Sequence, residues 1–146
     1  MELKVTLEDR LYSALDYMHL YTKERMELLK GRLKLMSPSP SADHQVRVGA
    51  IYRELFERYR DDYVVLIAPL DVFLNEDTVV QPDILVCRKE QVSKRGCEGA
   101  PYLVVEVISP STQKYDEGEK KELYQEAGVK EYWLAYPDKT EKLVFG

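Results

Sequence analysis

The chain has 146 residues, of which 45% are hydrophobic and 32% are charged, and its formal net charge is −5. This composition is typical of one globular domain over residues 1–146 and argues against wholesale disorder. The negative net charge argues against a general nucleic-acid-binding protein, which would have a basic surface. An acidic enzyme can still concentrate positive charge at one cleft. No apolar stretch approaches the roughly 18 residues of a membrane span, and the N-terminus lacks the pattern of a signal peptide, so we expect a cytoplasmic protein.

The first half of the chain alternates between helical and strand patterns. Apolar residues at helical spacing predict an amphipathic helix that ends near Met18. Alternating polar and apolar residues predict a β-hairpin that turns at Lys30-Gly31. A later helix buries one apolar stripe, and its first turn contains His44. The predicted elements are a helix over 6–18, strands over 26–29 and 32–36, a proline-containing loop over 37–42 and a helix over 43–60.

From residue 63 onward, short runs rich in Val, Ile and Leu predict strands. The predicted strands cover 64–68, 70–74, 78–80, 84–88, 102–109, 131–136 and 142–145. A polar connection spans 89–100, and a third helix over 115–127 ends at Gly128, which suits a left-handed C-terminal position. This order predicts an α/β (α+β) fold in which a mixed central β-sheet is flanked by helices.

Two acids interrupt strands that otherwise have the pattern of core strands. Asp83 opens the run QPDILVC, and Glu106 lies in the middle of YLVVEVIS. An ionised carboxylate in such surroundings is costly unless it is paired or holds a metal ion. Mg²⁺ suits two neighbouring carboxylates because it leaves positions for water and for phosphate oxygens. In the structural alternative, Asp83 only caps a strand end and Glu106 pairs with a buried Arg or Lys.

Lys120 is a third candidate, on the predicted helix over 115–127. It shares the apolar face of this helix with Leu123, Tyr124 and Ala127, whereas Lys121 does not. A cation near the start of a helix is also unfavourable to the helix dipole, which suggests that a local anion holds it there. Alternatively, Lys120 extends to solvent or pairs with Asp116, four residues earlier.

Several segments resemble the bacterial Uma2 family of predicted restriction endonucleases, members of the PD-(D/E)xK nuclease superfamily. The similar segments are MELLKGRLKLMSPSPSADHQ, QPDILVC, PYLVVEVISPST and YDEGEKKELYQEAGVKEYWLAYPD. The resemblance implies a restriction-endonuclease-like core, with the proline-aspartate pair at Pro82-Asp83 and the motif glutamate at Glu106. Position 108 is Ile, where the superfamily pattern has Lys, and the resemblance assigns the motif lysine to Lys120. Related chains usually continue past a strand like LVFG, so we expect that the last C-terminal strands are missing here.

The resemblance implies an Mg²⁺-dependent endonuclease that hydrolyses DNA, with Mn²⁺ as a substitute metal ion. Asp83, Glu106 and the backbone carbonyl of Val107 would hold the metal ion, and Lys120 would act in catalysis. His44 and Glu27 are supporting candidates: His44 lines the cleft or is a surface residue, and simple edge exposure competes with an accessory metal role for Glu27. A homodimer is expected by analogy with nucleases that cut both strands. The alternative is a catalytically inactive binding or assembly module, and these residues do not separate DNA from RNA.

Overall fold

The computed structural model describes residues 10–20, 22, 24–36 and 39–146. The described chain forms two mixed β-sheets with helices packed against them. The helices are α1 (Ala14–Met18), α2 (Ala42–Tyr59), α3 (Gln113–Glu117) and α4 (Glu119–Ala127). The predicted N-terminal helix over 6–18 is confirmed only over Ala14–Met18. Residues 10–13 are not helical, because Ser13 caps the first turn of α1, and residues 6–9 lie outside the described ranges. Among the described residues, no helix is long and apolar enough to cross a membrane.

Five strands form the central sheet, in the order β11-β10-β9-β6-β3, and six form a second sheet, in the order β2-β1-β5-β4-β8-β7. β9 and β10 are parallel, so the chain crosses over between them through α3 and α4. The strands are β1 (Met26–Leu29), β2 (Arg32–Leu35), β3 (Val64–Ile67), β4 (Val72–Asn75), β5 (Thr78–Val80), β6 (Ile84–Cys87), β7 (Val92–Ser93), β8 (Gly96–Glu98), β9 (Leu103–Val107), β10 (Glu131–Ala135) and β11 (Thr140–Val144).

The central sheet is buried on both faces. On one face, Val105 and Val107 of β9 pack in the same hydrophobic cluster as Leu55 of α2. On the other face, Val104 packs with α4 and with the second sheet. Because side chains alternate along a strand, Glu106 points to the same side as Val104, between the central sheet, α4 and the second sheet. The layer order therefore directs this carboxylate into the interior.

The β1–β2 hairpin is confirmed with its turn at the predicted position. Lys30 and Gly31 both have positive φ, 49° and 83°, as a two-residue turn that follows the twist of the strands requires. Glu27 faces Lys34 across this hairpin. Contrary to the expectation of edge exposure, Glu27 is only 2% exposed. β1 is not an edge strand, because β5 pairs with its other side.

The predicted third helix is two helices. Gly118 adopts φ −114° and ψ −91°, which ends α3 and begins α4. The break places Lys120 at the second position of α4, and its side chain is buried together with those of Leu123 and Tyr124. The polar connection over 89–100 also contains a 3-10 turn (Lys89–Gln91) and the short β7–β8 hairpin.

Candidate active site

Asp83 and Glu106 meet because β6 and β9 are antiparallel neighbours. Ile84 pairs with Val105, and continuing this register places Asp83 opposite Glu106. Asp83 Oδ2 accepts a hydrogen bond of 2.7 Å from the Val107 amide, and the Asp83 amide lies 3.4 Å from Glu106 Oε1. The Asp83 side chain is 21% exposed and Glu106 is 4% exposed. One carboxylate therefore opens to the surface and the other is interior.

Lys120 connects the two sheets through its ammonium group. Lys120 Nζ donates to Glu27 Oε2 at 2.7 Å and to Glu106 Oε2 at 2.5 Å. Glu27 also accepts from the Gln81 amide at 2.7 Å, and Tyr124 Oη donates to Glu106 Oε2 at 3.0 Å. Lys120 thus neither extends to solvent nor forms a direct ion pair with Asp116. The pairing of Glu106 with a buried lysine fits a purely structural role of Glu106 as well as a catalytic role.

Burial governs the protonation of this cluster. Burial raises the pKa of Glu106 well above its usual value, the ammonium of Lys120 lowers it, and the carboxylates of Asp116, Asp83 and Glu27 raise it further. Burial by itself lowers the pKa of Lys120, but Glu106 and Glu27 outweigh that effect and raise it well above the usual value. Four acids, Glu27, Asp83, Glu106 and Asp116, line the cleft beside Lys120, and the ionised forms of such a group are stabilised by an additional cation.

Asp116 is a further buried acid at this site. It lies on α3, is 4% exposed and lines the same cleft as Lys120. Burial raises its pKa from 3.8 to about 6, opposed mainly by the charge of Lys120. From the sequence, Asp116 is expected only as an ion-pair partner of Lys120. Its spacing of four residues before Lys120 places both side chains on one side of a continuous helix, but the break at Gly118 separates α3 from α4, so the spacing does not account for the burial of Asp116.

His44 lies at the rim of the cleft, in the first turn of α2. Its Nε2 is 3.5 Å from Asp83 Oδ2, and its Nδ1 is 3.0 Å from Gln45 Oε1. The polar contact with the Asp83 carboxylate raises the pKa of His44, although burial opposes this shift. His44 can therefore orient the Asp83 carboxylate.

The side chains surround an open cleft of about 620 Å³. All five side chains singled out from the sequence line it: Glu27, His44, Asp83, Glu106 and Lys120. The cleft is also lined by three cations that have no distinguishing pattern in the sequence, namely Arg25, Lys34 and Arg47.

The carboxylate oxygens in the cleft are suitable ligands for a hard divalent cation. Lys120 and Tyr124 both bond to Glu106 Oε2, so Oε1 has only the 3.4 Å approach of the Asp83 amide. The two bonds to Asp83 likewise use Oδ2 and not Oδ1. In the described part of the chain, no three His, Cys, Asp or Glu residues are grouped closely enough to form a metal site by themselves. Mg²⁺ commonly uses only one or two carboxylates, with water and phosphate oxygens as its other ligands, so this donor set fits Mg²⁺.

The comparisons with known proteins agree with the fold. Residues 12–146 match the Uma2 family, which is described as "Putative restriction endonuclease". A solved structure from Anabaena variabilis ATCC 29413, described as a "putative nuclease belonging to DUF820", aligns with a TM-score of 0.71. The alignment covers 90% of this chain and 84% of the other at 17% identity. No curated protein matches the chain. The predicted fold class is confirmed, as is the resemblance to the Uma2 family.

Proposed function

The chain belongs to the Uma2 family, and from this membership we propose that it is a divalent-metal-dependent endonuclease that hydrolyses DNA phosphodiester bonds in the cleft. The observation that carries the proposal is the meeting of Asp83, Glu106 and Lys120 at one cleft, with the ammonium of Lys120 hydrogen-bonded to Glu106. Asp83 directly precedes β6, Glu106 lies on β9 and Lys120 on α4, so three elements bring two acids and a cation to one place. Carboxylate oxygens beside a positive charge are groups that metal-dependent phosphodiester hydrolysis can use.

In this proposal, Asp83, Glu106 and the backbone carbonyl of Val107 hold Mg²⁺, for which Mn²⁺ can substitute. The metal ion would polarise the scissile phosphate and lower the pKa of the attacking water. Lys120 would donate a hydrogen bond to that water or to a phosphate oxygen, where negative charge builds up in the transition state. An ammonium group has three donors, and two of those of Lys120 bond to carboxylates.

Glu27 and His44 would act as positioning residues. Glu27 bonds to Lys120 from the second sheet, so Lys120 stays in place even if Glu106 turns toward a metal ion. His44 contacts the same oxygen of Asp83 as the Val107 amide does, which fixes the direction of the carboxylate. A loss of either contact should lower kcat more than it raises KM.

The test is cleavage of labelled DNA with Mg²⁺ or Mn²⁺, compared with EDTA. Glu106→Gln and Asp83→Asn keep the side-chain shape while removing the charge, and we expect both to reduce cleavage at least about 100-fold. Glu122→Gln is the control, because Glu122 is an exposed acid on α4. Circular dichroism should show that all three variants remain folded. Metal-dependent cleavage that is undiminished in both site variants would refute the assignment.

The second candidate function is a non-catalytic binding or assembly module with the nuclease fold. The observation that favours it is that Lys120 already compensates the charge of Glu106. Calorimetric titration with Mg²⁺ or Mn²⁺ distinguishes the two candidates. A nuclease should show saturable binding that Glu106→Gln weakens, whereas a module without a metal site should show none.

A further inference from the structure

Lys34 is a positively charged residue of the cleft, and its ammonium group makes no hydrogen bond with the described residues. It lies on β2, faces Glu27 across the hairpin and lines the cleft. Its ammonium nitrogen lies 3.3 Å from the centre of the Tyr115 ring on α3. In this cation–π contact, the N–H donors of the ammonium group have no oxygen or nitrogen acceptor. The ring therefore supports the ammonium group from one side and leaves its donors for another partner.

The acids near Lys34 bond to other groups. Glu27 Oε2 accepts from Lys120 at 2.7 Å and from the Gln81 amide at 2.7 Å. Across the described ranges, Lys34 Nζ makes no hydrogen bond or ion pair. Burial lowers the pKa of Lys34, the charge of Glu27 opposes this effect, and the charge of Lys120 adds to it. A half-buried cation with these neighbours would gain stability from an anion in the cleft.

Two arginines place further positive charge along the cleft. Arg25 Nε donates to Gln81 Oε1 at 2.8 Å, and Arg47 Nη1 donates to the Ala135 carbonyl at 3.3 Å. Each of these bonds uses one of the five guanidinium donors. The acidic centre is thus bordered by Arg25, Lys34 and Arg47, although the whole chain carries a net charge of −5. A ligand that matches this pattern carries negative charge at several points along its length.

We propose that Lys34, supported by Tyr115, binds a backbone phosphate of the nucleic acid next to the phosphate at Asp83 and Glu106. The inference rests on the proposed function, since it assumes that the cleft holds a phosphodiester strand. Phosphate is the matching ligand because the ammonium group acts as a point charge toward an anionic oxygen. Lys34 is in this view a substrate-positioning residue, whereas Lys120 acts on the reacting phosphate.

The experiment measures binding of a short fluorescein-labelled DNA duplex by fluorescence anisotropy, in EDTA and over a series of salt concentrations. Lys34→Met keeps an unbranched side chain over the ring but removes the charge. We expect its affinity to fall about tenfold, the size of one hydrogen bond to a charged group. The slope of log affinity against log salt should become shallower by about 0.9, as for one lost phosphate contact. Lys34→Arg should bind as the wild type does.

Lys142→Met is the matched control. Lys142 also lies over an aromatic ring, 4.2 Å from the centre of Trp133, but it is exposed and outside the cleft. We expect its affinity and salt slope to be unchanged. In cleavage assays with Mg²⁺, Lys34→Met should raise KM and leave kcat close to that of the wild type. The reason is that a contact with a phosphate that does not react contributes equally to the ground state and the transition state.

The outcomes separate this inference from the proposed hydrolysis. If the wild type cleaves DNA and Lys34→Met binds with unchanged affinity and slope, the Lys34 inference is wrong and the nuclease proposal stands. If the duplex binds through Lys34 but no metal ion supports cleavage, the inference stands and hydrolysis is refuted. If the wild type does not bind the duplex in EDTA even at low salt, the Lys34 inference is wrong, and the cleavage assay with Mg²⁺ or Mn²⁺ decides the nuclease proposal.

Discussion

Replacing Lys120 with Met should destabilise the protein strongly at neutral pH. Lys120, Glu27 and Glu106 are each no more than 4% exposed, and the ammonium group makes one hydrogen bond to each carboxylate. Removing it leaves two buried acids without their cation, and breaking a buried ion pair in this way typically costs about 3–5 kcal/mol. Met keeps an unbranched side chain that is one atom shorter, so we attribute most of the expected loss to charge rather than to a cavity.

The pH dependence has a definite sign. The pKa of Lys120 is raised in the folded state, so its stabilising contribution is complete below its usual pKa of 10.5 and is lost as the pH rises through the folded-state value. In Lys120→Met, Glu106 loses the neighbour that lowers its pKa, so it takes up a proton more readily. The loss of stability should therefore be smaller near pH 5 than at neutral pH, and it should shrink again where the pH rises through the folded-state pKa of Lys120.

The assay is urea unfolding in EDTA at a series of pH values. Lys121→Met is the control, because Lys121 is the next residue of α4 but lies only partly buried. Its free energy of unfolding should stay within about 0.5 kcal/mol of the wild type. Combining Lys120→Met with Glu27→Gln should cost less than the sum of the single changes, because the two residues share one contact. A Lys120→Met variant that matches the control at neutral pH would refute the buried ion cluster.

Three further changes test other parts of the structure by urea unfolding in EDTA. Asp116→Asn should stabilise the protein near pH 7 by at most about 3 kcal/mol. The reason is that the pKa of Asp116 is about 6 in the folded state and 3.8 ordinarily, so the stability of the wild type falls as the pH rises from 3.8 to 6. An unaltered pH profile of stability in Asp116→Asn would contradict this. Tyr124→Phe removes the 3.0 Å hydrogen bond to Glu106 and should cost about 1.5–3 kcal/mol, whereas no loss would mean that this bond is not made. Leu55→Ala in α2, where Leu55 is fully buried, should cost about 2–5 kcal/mol. The exposed Val46→Ala should stay within about 0.5 kcal/mol, and equal losses for both would refute the packing of α2.

The sequence predicted those features that depend on local patterns. The hairpin turn at Lys30-Gly31 follows from turn chemistry, and the inward position of Lys120 follows from helical spacing. Asp83 and Glu106 could be matched because each interrupts a run that is buried on both faces. In all three cases, the residues that decide the outcome lie within a few positions of one another.

The features that the sequence did not predict depend on contacts between distant segments. The burial of Glu27 depends on β5, which covers the outer side of β1 about 50 residues later in the chain. The division of the strands into two sheets likewise depends on pairings such as β4 with β8. Lys34 alternates with apolar neighbours and has the pattern of an ordinary surface residue of a hairpin, so only the position of α3 shows that Tyr115 supports it.

The position of the lysine on α4 links the stability of this fold to its proposed chemistry. Ile108, where the superfamily pattern has a lysine, is 3% exposed and packs in the hydrophobic cluster between the sheets. A charged side chain there would remove an apolar contact from this cluster, whereas α4 delivers the ammonium group without doing so. The cost is that Lys120 depends on Glu27 of the second sheet and Glu106 of the central sheet at once. Any change that separates the two sheets should therefore reduce the proposed cleavage before it unfolds the chain, because Glu27 would then draw Lys120 away from Glu106.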